Sequence, residues 1–295
     1  MIDLVNRMDT FMEKRGITGH VSAERFVHDF KTNMVYFAVI LGESHAEYLI
    51  HETLSLLEDD DNLTDSSILN TNFRCTIDDL ISPALRENKL FMETFSILLN
   101  NNGKGVGAGE LALPLILSNY RFSNVSDGEF DYDGETHKVE IKKDGASLKP
   151  VKTGLTEKGL VDRLTKKYFN STVPGMKAKK DFEKHLATVT DPTVYGEFFE
   201  QLYVGCNTKD LTKTVVDGAY KDAVQFQTAV GKFALREYKK VDGWNNIMYI
   251  DVEKRKVVNI CDVNNVDELG LKFAPKFKRG RDTQAIADGY VNVKI

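Results

Sequence analysis

Residues 126–148, SDGEFDYDGETHKVEIKKDGASL, concentrate side chains that could do chemistry. They form two alternating runs joined at Asp133-Gly134, the pattern of a β-hairpin closed by a tight turn. Alternate residues of a strand share a face. Glu140 and Lys142 therefore share one face of the second run, with Val139, Ile141 and Lys143 on the other. On the first run Asp127, Glu129, Asp131 and Asp133 share a face by the same alternation. An acid beside an amine on a solvated strand is a surface salt bridge worth about 0–1 kcal/mol. A second carboxylate set beside Glu140 changes the chemistry, because packed like charges are costly unless a cation separates them. Oxygen-only ligands suit Mg²⁺ or Mn²⁺. The candidate metal ligands are Glu140 with Glu129, Asp131 or Asp127.

The elements that must position this hairpin are read from periodicity. Residues 1–100 read as mostly helical: VSAERFVHDFKTNMVYFAVIL with Ser22 as N-cap, then HAEYLIHETLSLLEDDD, then TIDDLISPALRENKLFMETFSILLN interrupted near Pro83. SSILNTNFR reads as a loop. From residue 101 the texture changes. NNGKGVGAGELALPLIL places glycines before an apolar stretch, which predicts a flexible loop leading into a helix over 110–118. Residues 155–240 return to helical spacing, and NIMYIDV, KVVNICDV, LGLKFAP and IADGYVNVKI read as strands. The expected class is α/β or α+β, a mixed sheet flanked by helices. The expected division is a helical region over 1–100 and a core over 101–295 with inserted helices and C-terminal strands.

The glycine-rich loop invites two other readings. A phosphate-cradling loop needs GxxxxGK[ST], but Lys104 comes early and Glu110 would oppose a bound phosphate. Gly103-Lys-Gly105-Val-Gly107-Ala108 fits the dinucleotide fingerprint, with Asp127 near the expected position of the ribose acid. The preceding METFSILLNNN, however, reads as the end of a helix and not as a buried strand.

The hairpin resembles the PD-(D/E)xK nuclease superfamily, in which an acid is followed about ten residues later by (D/E)-x-K. It looks like the phage and bacterial branch, where a Gly-acid-apolar strand turns into an apolar-Glu-apolar-Lys strand. The resemblance spans roughly residues 103–148. It implies a restriction-endonuclease-like fold and an Mg²⁺- or Mn²⁺-dependent endonuclease that hydrolyses DNA. It assigns the first acid to Glu129 after Gly128, the second to Glu140 and the lysine to Lys142, with Glu110 as the further glutamate ahead of the first strand. Three departures stand out: Glu129 replaces the usual Asp, the motif's Pro is absent, and Gly145-Ala146-Ser147-Leu148 replaces a Gly-Ala-Arg-Leu run. Rival readings are a nuclease-fold protein with a structural or nucleic-acid-binding role, as in a tailed phage, and a dinucleotide-binding enzyme.

Charge distribution agrees with a polyanionic partner. The net charge is −5, yet residues 136–180 hold 12 Lys/Arg against 4 Asp/Glu. KFAPKFKRGR, 272–281, adds five positive charges. The candidate DNA contacts are Lys143, Lys149, Lys152, Arg163, Lys166, Lys167, Arg279 and Arg281. Residues 1–100 are acidic, 8 Lys/Arg against 17 Asp/Glu, and could meet a protein partner or mimic DNA. Homodimerisation is a further expectation, since many nucleases of this kind cut both strands as dimers. No apolar run reaches the roughly 18–20 residues of a membrane span. The N-terminus lacks a signal-peptide layout. Cys75, Cys206 and Cys261 form neither CxxC nor a disulfide framework, so the expected setting is cytoplasmic, in a host cell or associated with a virion. HExxH is absent and the six histidines are scattered, which argues against a zinc hydrolase.

Overall fold

The structure is a computed structural model, which describes residues 2–100, 106–107, 109–148, 223–279 and 287–295. Contacts gather these residues into two compact units. One comprises 1–144, 244–262 and 295, and the other 145–243 and 263–294.

The first unit begins with three helices, α1 (Ile2–Lys14), α2 (Val21–Leu41) and α3 (Ala46–Glu58). Helix α2 spans the periodic stretch read from sequence. Its N-cap, however, is His20, whose ring Nδ1 accepts from the Ser22 amide at 3.1 Å. Strand β1 (Thr64–Asp65) precedes the expected loop, whose residues instead form a 3-10 turn at Ser66–Asn70 and the start of β2 (Phe73–Thr76). Pro83 opens the short α4 (Pro83–Glu87), where its missing N–H costs nothing. Helix α5 (Lys89–Leu99) ends the helical region.

The expected helix over 110–118 does not form. Residues 109–112 make a turn, Leu113–Leu115 a single 3-10 turn, and β3 (Leu117–Ser118) pairs in parallel with β1. Pro114 provides no N–H for a continuing helix, and Gly109 has a positive φ of 93° that helical backbone does not use.

Strand β4 (Tyr120–Phe122), β5 (Gly128–Tyr132) and β6 (Glu135–Lys143) form an antiparallel meander. Asp133 and Gly134 have φ of 51° and 78°, so the turn read from Asp-Gly is a two-residue turn with both central residues left-handed. Strand β8 (Asn246–Asp251) joins β6 in parallel and β9 (Lys256–Ile260) pairs antiparallel to β8. The six-stranded order is β2-β9-β8-β6-β5-β4, with one parallel pair in an otherwise antiparallel sheet. This is a mixed α/β protein.

One face of the sheet is apolar. Phe130, Val139, Ile141, Met248, Ile250 and Val257 belong to one hydrophobic cluster with Met8, Phe11, Phe30, Phe91 and Phe95 of the N-terminal helices. The boundary expected at 100/101 therefore does not separate two bodies, since residues 1–100 supply the other half of the sheet's core. The cluster is reinforced by a polar tie. The buried Asn259 amide donates to the carbonyls of Leu69 and Thr71, both at 2.8 Å, and so satisfies backbone acceptors that burial would otherwise leave costly.

The second unit contains β7 (Ser147–Leu148), helix α6 (Ala223–Asp242), β10 (Lys272–Arg279) and β11 (Ala287–Lys294). Its sheet has the order β10-β11-β7. The expected helices over 155–222 lie outside the described residues. Among the described residues no helix is long and apolar enough to cross a membrane.

Candidate active site

The opposite face of β5 and β6 carries the chemistry, and the register of the two strands follows from the turn. Tyr132 pairs with Glu135 across the two-residue loop, and the ladder runs back to Gly128 opposite Val139. The pairing ends there, and Asp127 lies in the bend just ahead of β5, one step beyond the last rung. Asp127 is electrostatically coupled to Glu140, and Lys142 shares the face of Glu140 on β6. Asp127 Oδ2 accepts from the Ile141 amide at 2.7 Å, which fixes this carboxylate against the central strand. Glu140 forms an ion pair with Lys142, and both side chains are less than a quarter exposed.

Glu110 enters from the turn ahead of β3. Its Oε1 accepts from the Gly107 amide at 2.5 Å, and the residue is 8% exposed. Burial, then the charge of Asp127, push its carboxyl up to about 7; the Gly107 N–H and Lys142 oppose this and Glu140 adds to it. Asp127 is raised by burial and by Glu140, against the Ile141 N–H and Lys142. Glu110, Asp127, Glu140 and Lys142 thus act on one another in a single electrostatic group. Glu110 reaches it from a turn, not from the expected helix.

Glu129 is one strand repeat away, about 7 Å along β5. It lies abreast of Lys138 on one side and Arg121 on the other. Its carboxylate is engaged there: Oε1 accepts from Ser123 at 2.9 Å and Ser126 at 3.2 Å, and Oε2 meets Arg121 at 3.5 Å. Asp131 is more exposed and pairs with Arg121 at 2.8 Å and with Thr136 at 2.8 Å. These partners hold its carboxyl below the usual range, Arg121 first. Of the three candidate first acids, Asp127 is the one held against β6 by the Ile141 amide and raised by Glu140.

Tyr120 has a role that sequence reading missed. Its ring is buried, and its hydroxyl makes no hydrogen bond among the described residues. A Cβ on Gly128 would run into this hydroxyl and ring, so glycine is required there. Burial, then Asp127, Glu110 and Glu129, raise its phenol well above its ordinary value. The readable signal is the glycine beside the acid. Tyr120 belongs to the hydrophobic cluster.

Among the described residues no three His, Cys, Asp or Glu side chains converge closely enough to hold a cation as they stand. The donor chemistry nevertheless fits a hard divalent ion. Glu110, Asp127 and Glu140 are oxygen donors, and their mutual repulsion is the condition a cation relieves. Of the candidate DNA contacts, Lys143 is exposed but alternates onto the face opposite Glu140. Arg279 lies on β10 opposite Ala287, in the second unit. Lys149, Lys152, Arg163, Lys166, Lys167 and Arg281 lie outside the described residues. The segment ahead of the glycine-rich loop is helix α5, so the strand a dinucleotide site requires is not there. Compared with protein-family models, curated proteins and solved structures, the chain matches none.

Proposed function

We propose that the protein is a metal-dependent nuclease of restriction-endonuclease-like fold that hydrolyses phosphodiester bonds of DNA. One observation carries this reading: the Ile141 amide ties Asp127 to β6, where Asp127, Glu140, Lys142 and Glu110 act on one another electrostatically. The hairpin followed by a parallel strand on the far side of β6 supports the fold. Asp127 takes the role of the first acid, since Glu129 is turned toward Arg121, Ser123 and Ser126.

Asp127 and Glu140 would hold one or two Mg²⁺ or Mn²⁺ ions, with Glu110 completing the shell directly or through water. The bound metal would polarise the scissile phosphate and lower the pKa of a water. The chain's own residues do the rest. The Ile141 amide fixes Asp127 in place. The Lys142 ammonium would orient a water or neutralise charge growing on the phosphate. In the metal-free chain Glu110 is raised to about 7, so it can hold a proton there that cation binding would release.

The test is plasmid nicking in Mg²⁺. The parent is expected to nick or linearise the plasmid, with activity lost in Glu140→Ala, Lys142→Ala and Asp127→Asn. Glu129→Gln should retain most of it. Loss in Glu129→Gln with retention in Asp127→Asn would reverse the assignment of the first acid. A second reading, a nuclease-fold protein with a structural or DNA-binding role, draws on the ion pair that occupies Glu140 and on the open spacing of the acids. It predicts DNA binding with no cleavage in any divalent metal.

A further inference from the structure

We infer that Lys138 is a second phosphate-positioning residue, holding the nucleic-acid backbone one phosphate away from the scissile position; this rests on the nuclease reading above. Lys138 lies on β6 two residues before Glu140, so it shares the face of Glu140 and Lys142. The three side chains Lys138, Glu140 and Lys142 form a row with a step of about 7 Å. That step is of the order of the spacing between successive phosphates on one strand.

The register supplies the second observation. Lys138 lies abreast of Glu129, the acid that would ordinarily neutralise it across the ladder. Glu129 is turned the other way, with one oxygen held by Ser123 and Ser126 and the other facing Arg121 on β4. Arg121 is itself shared with Asp131 at 2.8 Å. Two strands therefore close their charges on each other and leave the lysine of the third out. Among the described residues no carboxylate is within ion-pairing distance of the Lys138 ammonium, although its backbone is fixed by the Asn245 side chain, which accepts its amide at 2.9 Å. A half-buried lysine on a rigid central strand, beside the acids and without a counter-ion, suits a polyanion that passes along the strand. The contact is to backbone phosphate and carries no sequence preference.

The test is binding of a fluorescein-labelled 20-bp duplex by anisotropy in Ca²⁺, between 50 and 300 mM KCl, for the parent, Lys138→Ala and Lys138→Arg. Loss of one phosphate contact makes the slope of log K against log salt shallower by about one. Lys138→Ala should show this, and Lys138→Arg should keep the parent slope. In Mg²⁺, Lys138→Ala should raise KM severalfold with kcat retained. An unchanged slope and affinity in Lys138→Ala, with the parent binding normally, would overturn the role of Lys138 alone. A parent that neither binds the duplex nor cleaves it would overturn the nuclease reading and this inference together.

Discussion

Replacing Glu110 by glutamine should stabilise the metal-free protein at pH 8 and do much less at pH 5. In the folded chain the carboxyl is raised from 4.5 to about 7, chiefly by burial and then by Asp127. A group whose folded value lies above its unfolded value binds its proton more tightly in the native state. Its contribution to stability is therefore full below the unfolded value and falls as pH rises through 4.5 to 7. Carried to pH 8 the loss is about 3 kcal/mol, against about 1 kcal/mol at pH 5, so the expected differential is roughly 2–3 kcal/mol. Glutamine has nearly the same shape and keeps an acceptor for the Gly107 amide, so the comparison isolates the charge. The assay is urea unfolding in EDTA at both pH values, with the parent and Glu110→Gln compared at each. Millimolar Mg²⁺ should then recover stability in the parent at pH 8 and recover less in the variant, because the cation favours the ionised carboxylates. A stability difference that stays constant between pH 5 and pH 8 would refute the buried, mutually repelling carboxylates on which the site depends.

Three further outcomes are expected. Gly128→Ala should cost about 1–3 kcal/mol in urea unfolding, because its Cβ meets the Tyr120 hydroxyl in a packed interior. Tyr120→Phe should be neutral or stabilising by up to about 1 kcal/mol in the same assay, since it removes a buried hydroxyl that makes no hydrogen bond. Burial, then Asp79, push the Cys75 thiol up to about 11 from 9.0, so iodoacetamide at pH 8 should label it roughly a hundredfold more slowly than an unperturbed thiol, read by peptide mass spectrometry.

Much of the fold was legible where local physics decides. Helix α2 follows its apolar spacing over the whole predicted stretch, and the hairpin follows the Asp-Gly turn and period-two alternation. Non-local choices were hidden. The partner of β6 on its far side is β8, a parallel strand about a hundred residues later, and alternation within β6 names no partner. The absent helix over 110–118 is a different failure. Its apolar residues suit a buried helix or a buried turn equally, and Pro114 with the positive φ at Gly109 decides for the turn.

The first acid shows how far sequence could have reached. Alternation alone puts Asp127, Glu129 and Asp131 on one face and cannot choose among them. A two-residue turn, however, fixes which residues pair, as Tyr132 with Glu135 here. Five further residues along each arm, one step past the last paired rung, lead to Asp127 and Glu140. Three residues along each arm lead to Glu129 and Lys138, a pair of opposite sign that needs no metal. The loop chemistry that makes the hairpin recognisable thus also selects Asp127 over Glu129. The electrostatics agree, since burial and Glu140 raise Asp127 while Glu129 has Arg121 and two hydroxyls for company. At the rung of Glu129 it is Arg121, Ser123 and Ser126 that engage the acid and leave Lys138 without it. A single substitution that slipped the register by one residue would turn every carboxylate of β5 into the apolar core, so the integrity of the Asp133-Gly134 turn is as much a condition of the site as its acids are.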